Sequence, residues 1–258
     1  MSHRGLMFFA LWLSLWDFAS GVEMRTASRM GAEASNQLKV AGNACGPAAL
    51  LSAFRFGETR WDRPVEALGK ETDREQILAI IRRYGGRSSH TLKDHQRWSK
   101  RGVNLADLTD IANEMARPFY LPRLKAEVFP ATANGEGERT LKRTHGVLRK
   151  SLANGFPPIL SVRRFVFRDG QWTVLSAHFV TLIALPERME KGATSFPVVY
   201  LDPWGGRRCE GVVTVPENGF PSGLPANLSV NLPQTGVGKS LVKPGERSVV
   251  LLSAAIVR

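Results

Sequence analysis

Residues 158–185, PILSVRRFVFRDGQWTVLSAHFVTLIAL, are where the apolar period of this chain turns from helical to alternating, with many β-branched and aromatic residues. Pro158 to Phe167 reads as a strand and Asp169-Gly170 as a two-residue hairpin turn. Gln171 to Leu175 and His178 to Leu185 follow as strands. Upstream the periods are helical. After a polar arm from Val22 to Val40, a helix opens at Pro47, buries Leu50, Leu51 and Phe54, and stops at Gly57. Asp73 to Tyr84 places Ile77, Ile80, Ile81 and Tyr84 on one face before Gly85-Gly86. Asn104 caps a third helix through Leu105, Leu108, Ile111, Ala112 and Met115, ending before Pro118. Phe119 to Phe129 reads as extended, Thr132 to Arg143 as a polar loop, and Val147 to Ala153 as a short helix. Downstream come strands at Pro197 to Leu201, Val212 to Val215 and Ser248 to Val257, the last two separated by a Pro/Gly-rich loop. This order predicts an α+β fold: one two-lobed domain over 22–258, with a helical lobe at about 40–116 packed on an antiparallel sheet lobe at about 117–258.

The first 21 residues read as a signal peptide, with Arg4, an apolar run from Leu6 to Trp16, and small residues Ala19-Ser20-Gly21 at the cleavage site. That predicts a secreted or periplasmic protein. No later stretch reaches the roughly 18 apolar residues of a membrane span. The net charge is +12, which favours acidic partners, yet the basic residues are scattered in pairs such as Arg82-Arg83 and Arg207-Arg208. No aromatic-interleaved basic motif marks a specific nucleic-acid site.

Chemistry is concentrated in three short stretches. In "GNACGPAALL", residues 42–51, Cys45 stands where a helix begins, so backbone donors and the helix dipole favour its thiolate. In "SAHFVTLIAL" His178 opens a strand, and in "VVYLDPWGG" Asp202 ends one. Paired as a hairpin, these strands bring His178 and Asp202 side by side, and the carboxylate then orients the imidazole and favours its charged form. A rival reading joins the two cysteines, Cys45 and Cys209, in one structural disulfide.

"NACGPAALL", "SAHFVTLIAL" and "VYLDPWGG", in that order, resemble the cysteine, histidine and aspartate boxes of papain-like cysteine peptidases, most closely the bacteriocin-processing (double-glycine leader) peptidase group. "GVNLADLTDIANEMA" and "LRKSLANGFPPILSV" are similar to the family's middle helix and helix-strand step, so the resemblance spans about 37–206. It implies Cys45 as nucleophile, His178 as general base and later acid, and Asp202 as the orienter of His178, acting on a peptide or protein substrate without metal or cofactor. The family's oxyanion-stabilising glutamine lies about six residues before the cysteine, a position held here by Lys39. Gln37 fills that role if the loop carries a two-residue insertion, and Asn43 is a second amide candidate. The expected function is therefore an exported cysteine hydrolase, a peptidase first. A transglutaminase-type acyltransferase and a non-catalytic, disulfide-bonded binding or structural protein stand as alternatives.

Other motifs carry less. "TGVGKS", residues 235–240, lacks the first glycine of a phosphate loop, because Pro233 stands there, and reads as a flexible loop. His90 and His95 flank Asp94 at poor spacing for a metal. Asn227-Leu228-Ser229 is a glycosylation sequon in a eukaryotic secretory route only, and Trp204 reads as a packing residue beside Asp202.

Overall fold

Helix α1, Cys45–Phe56, is apolar almost all round, with Ala48, Ala49, Leu50, Leu51, Ala53 and Phe54 fully buried. A helix without a polar face has to run through the interior. Burying Leu50, Leu51 and Phe54 contributes about 1.5–3 kcal/mol each. The chain is seen in a computed structural model that describes residues 22–40, 43–130, 136–216 and 223–258, so the expected signal segment lies outside the described residues.

Around α1 stand α2 (Arg63–Glu66), α3 (Asp73–Ile80) and α4 (Leu105–Ala116). Thr72 and Glu75 form a reciprocal capping box that starts α3, which runs on into a π-helical turn, Ile81–Gly85. The Asn104 side chain accepts the Asp107 N–H at 2.8 Å and starts α4. These helices share one apolar cluster with Trp61, Phe156 and Phe179.

The strands are β1 (Met24–Thr26), β2 (Trp98–Ser99), β3 (Gly102–Val103), β4 (Lys125–Val128), β5 (Ile159–Arg168), β6 (Gln171–Pro186), β7 (Ser195–Asp202), β8 (Arg207–Thr214), β9 (Ser229–Asn231) and β10 (Ser248–Val257). Six of them close on themselves, in the order β6-β5-β10-β9-β8-β7 and back to β6, every pair antiparallel. β1 extends this barrel from β6, and β4 from β10. β2 and β3 form a separate small hairpin. The barrel and helix α5 (Gly137–Ala153) enclose a second apolar cluster. The fold is thus α+β, and no helix among the described residues is long and apolar enough to cross a membrane.

Three stretches differ from the sequence reading. The short helix at 147–153 is the end of α5, which begins at Gly137. Its first half reads as loop because the outward face is charged, while Leu141, Thr144, His145 and Leu148 point inward. The two strands at 171–175 and 178–185 are one strand, β6, bulged at Leu175 so that Arg164 faces Ser176 and Phe165 faces Val174. The polar arm supplies β1, whose Arg25 pairs with Leu185. The hairpin turn itself is as expected: Asp169 and Gly170 have φ of 50° and 77°, the left-handed pair that a twisted two-residue turn needs.

Two contacts lock the helical cluster to the barrel near Cys45. Thr181 Oγ1 of β6 donates to Ala49 O of α1 at 2.8 Å. The second contact is Gly46 itself, against which the β2–β3 hairpin packs so closely that a Cβ there would lie 2.4 Å from Val103 Cγ1 and 3.5 Å from Phe179. Gly46→Ala is therefore expected to destabilise the protein by about 1–3 kcal/mol through overpacking, despite alanine's better helix propensity. Thermal melting checks this, and an unchanged midpoint contradicts the packing.

Candidate active site

Cys45 occupies the first position of α1, and Ala44 before it offers no side-chain cap. The first N–H groups of the helix are therefore left for other partners. β6 and β7 pair with Thr181 opposite Leu201, which puts His178 and Asp202 at the same barrel rim, facing the head of α1. His178 Nε2 bonds Asp202 Oδ1 at 2.8 Å, both side chains buried. With Nε2 committed to Asp202, Nδ1 is the nitrogen left for the hydrogen bond between His178 and the Cys45 thiol.

Asp202 is held from three sides. Trp204 N–H donates to Oδ1 at 2.9 Å, and Oδ2 faces Arg207 Nη2 at 3.8 Å. Arg207 in turn donates to Trp204 O at 3.3 Å and Gln234 O at 2.9 Å. The tight turn after Pro203 needs both glycines of "DPWGG": Gly205 and Gly206 have φ of 97° and 64°, and a Cβ on Gly206 would sit 3.0 Å from Ala34 O.

The electrostatics follow from this geometry. Burial pushes the Cys45 thiol up, but the hydrogen bond and charge of His178 outweigh it, helped by the Phe179 and Gly46 backbone N–H groups, and the net shift is downward. Burial also opposes the imidazolium on His178. Its hydrogen bonds to Asp202 and Cys45, and their charges, more than offset that and raise His178 to about 9. The two shifts favour the same state, a thiolate beside an imidazolium, with the Asp202 carboxylate behind it. Such a group can attack a carbonyl carbon and then return a proton.

The remaining candidates separate clearly. Gln37 is fully buried in the 3-10 turn Gln37–Lys39, and its backbone N–H donates to Pro203 O at 2.9 Å, beside the strand end that carries Asp202. Lys39 turns away to Asp73, Nζ to Oδ2 3.4 Å. The Asn43 amide donates to the carbonyls of Ser99 and Lys100 and so fastens the β2–β3 turn at the cleft that Cys45 lines. Both cysteines are free. Cys209 lies buried on β8 opposite Tyr200, its thiol pushed up by burial and by the charge of Asp202.

A cleft of about 790 Å³ opens in front of Cys45 and His178. One wall is Arg101 to Val103 at the β2–β3 turn, and the other is the loop 236–240, with Trp204 at the edge. Neither wall was expected from the sequence. The "TGVGKS" loop is also not the loose segment its composition suggests. Arg164 Nε donates to Val237 O at 2.6 Å, Tyr200 and Thr235 hydroxyls bond at 2.8 Å, and a Cβ on Gly238 (φ 66°) would meet Ser176 Cβ at 2.6 Å. The glycine pattern was the available signal: it marks a backbone pressed against β6. Trp204, 46% exposed, borders the cleft instead of packing inward.

Away from the cleft, α4 brings Asp107 and Asp110 within 4.8 Å of His90, a grouping that chain spacing alone hid. Asp107 already accepts Ser89 Oγ at 2.8 Å and Asn104 Nδ2 at 2.6 Å, and His90 pairs with Asp110 at 2.5 Å, so the cluster reads as the capping network of α4. His95 bonds Lys93 O at 2.7 Å. Compared with known proteins, the chain matches no family model and no curated protein.

Proposed function

We propose that this protein is an exported papain-like cysteine hydrolase, a peptidase that cleaves amide bonds through Cys45, His178 and Asp202. The observation that carries the reading is the line of groups from the head of α1 to the end of β7: Cys45 and His178 share one cleft, and a buried carboxylate lies 2.8 Å from His178 Nε2. A helix-borne nucleophile set against an antiparallel barrel that bears the histidine and aspartate supports the papain-like comparison.

The chemistry then runs on the chain's own groups. The Cys45 thiolate attacks the substrate carbonyl carbon, forming a C–S bond and an oxyanion. The backbone N–H of Cys45 and the amide of Gln37 are the proposed receivers of that charge. His178 gives its proton to the departing nitrogen as the C–N bond breaks, leaving a thioester on Cys45. It next removes a proton from water, whose oxygen attacks the thioester; the acid leaves and the thiolate returns. Asp202 keeps the ring oriented and the imidazolium favourable throughout.

Because protonated His178 must supply the leaving group's proton, hydrolysis is expected to hold through neutral pH and fall as pH rises through about 9. Asp202 is one of the groups that raise His178, so Asp202→Asn is expected to move this alkaline limb to lower pH. A pH–rate profile with the limb unmoved by that variant contradicts the role given to Asp202.

The activity itself is tested on reduced, denatured casein with hydroxylamine present. New amino termini and C-terminal hydroxamates are expected, the latter marking a captured acyl-enzyme. Amine incorporation without new termini assigns the acyltransferase instead. No product from protein whose Cys45 alkylates readily removes the peptidase reading.

A further inference from the structure

The cleft before Cys45 carries charge that the bond-breaking chemistry does not use. Arg101 stands on one wall and Lys239 on the other, both exposed, and no aspartate or glutamate lines the space between. Elsewhere on this surface arginines have taken acidic partners, as in Arg25 with Glu187, Arg87 with Glu114 and Arg168 with Glu246. Neither Arg101 nor Lys239 has an ion-pair partner among the described residues. The carboxylate behind His178, Asp202, is buried and committed to that ring.

Both cations also ride on fixed backbone. Arg101 follows the Ser99 and Lys100 carbonyls that Asn43 grips, and its N–H donates to Ser99 Oγ at 3.1 Å. Lys239 N–H donates to Gly236 O at 2.6 Å, in the loop that Arg164 and Thr235 hold down. Two unpaired positive charges facing each other across a cleft focus the local potential on whatever enters it. The net charge of +12 adds to that field.

We infer that the substrate is an acidic peptide segment, with aspartate or glutamate side chains flanking the bond that Cys45 attacks. This rests on the hydrolase reading above. Arg101 and Lys239 receive those carboxylates from opposite sides of the cleft, and Gly236, where a Cβ would meet nothing within 4 Å, leaves room for the peptide backbone. Each exposed charge pair contributes modestly, so together the two select an acidic over an amide side chain by about fivefold.

The test compares two pools of quenched-fluorescent peptides, identical except that Asp and Glu in one are Asn and Gln in the other, with the full-length protein. The acidic pool is expected to be cleaved about fivefold faster at low salt, and the preference to shrink at about 0.5 M NaCl. Arg101→Glu/Lys239→Glu, both on exposed turns, is expected to reverse it. The same variant is expected to lower the ratio of iodoacetate to iodoacetamide alkylation rates at Cys45. Equal cleavage of the two pools, or an unchanged alkylation ratio, by protein with a reactive Cys45 overturns the acidic preference and leaves the hydrolase reading standing. An inert Cys45 with neither pool cleaved overturns both. Protection of Cys45 by poly(U) but not by poly(L-glutamate) assigns the charges to nucleic acid and overturns the inference.

Discussion

Cys45→Ala is expected to lower casein hydrolysis at least about 1,000-fold while leaving the fold in place. The effect is large because every covalent step in the proposed cycle passes through the sulfur. An alanine offers no atom to attack the carbonyl, and His178 with Asp202 then has only water to activate. The fold is expected to survive because the substitution removes one atom at the first position of α1, where alanine is the best helix former. Circular dichroism and melting close to those of the parent, with hydrolysis gone, are the result to look for. Retained hydrolysis moves the chemistry to another residue.

His178→Ala is expected to slow iodoacetamide alkylation of Cys45 at pH 6 on the order of 10- to 100-fold. In the intact site the imidazolium draws the thiol pKa down against burial. Without it, burial is the dominant remaining influence, and an ordinary thiol near 8.5 is under about 1% ionised at pH 6. Loss of thiolate is partly offset by the greater intrinsic nucleophilicity of a more basic sulfur, which sets the lower figure. Because removing the ring leaves Asp202 buried without its partner, His178→Gln is the companion variant. Its amide donates to the carboxylate but does not titrate at this pH. Both variants are expected to be slow, and equal rates in all three proteins contradict the ion pair.

The residues at the centre of this site were legible in the sequence because each is tied to a regular element with a local signature. Cys45 precedes a Gly-Pro helix start, His178 lies on a strand, and Asp202 precedes the proline that stops one. The Asp169-Gly170 turn and the Asn104 cap are likewise local rules written in a few residues. What escaped depends on partners far along the chain. The first half of α5 shows a charged face and earns its helix only by laying Leu141 and Leu148 on the barrel. β9, three residues long, is defined by β8 and β10 rather than by its own pattern. The cleft walls were hidden for the same reason: Gly102 and Gly238 read as loop glycines until Asn43 and Ser176 are seen pressed against them. The cysteine rival dissolves on similar grounds. Cys45 and Cys209 differ little in sequence context as possible disulfide partners, yet one faces His178 and the other is buried against Tyr200.

The central claim, a thiolate at Cys45 made by His178, is tested most directly by peptide-mapped mass spectrometry after brief iodoacetamide treatment of the unreduced, native protein at pH 6. The account expects one adduct per chain, on Cys45, with Cys209 labelled only after denaturation. A Cys45–Cys209 disulfide, or equal slow labelling of the two cysteines, contradicts it.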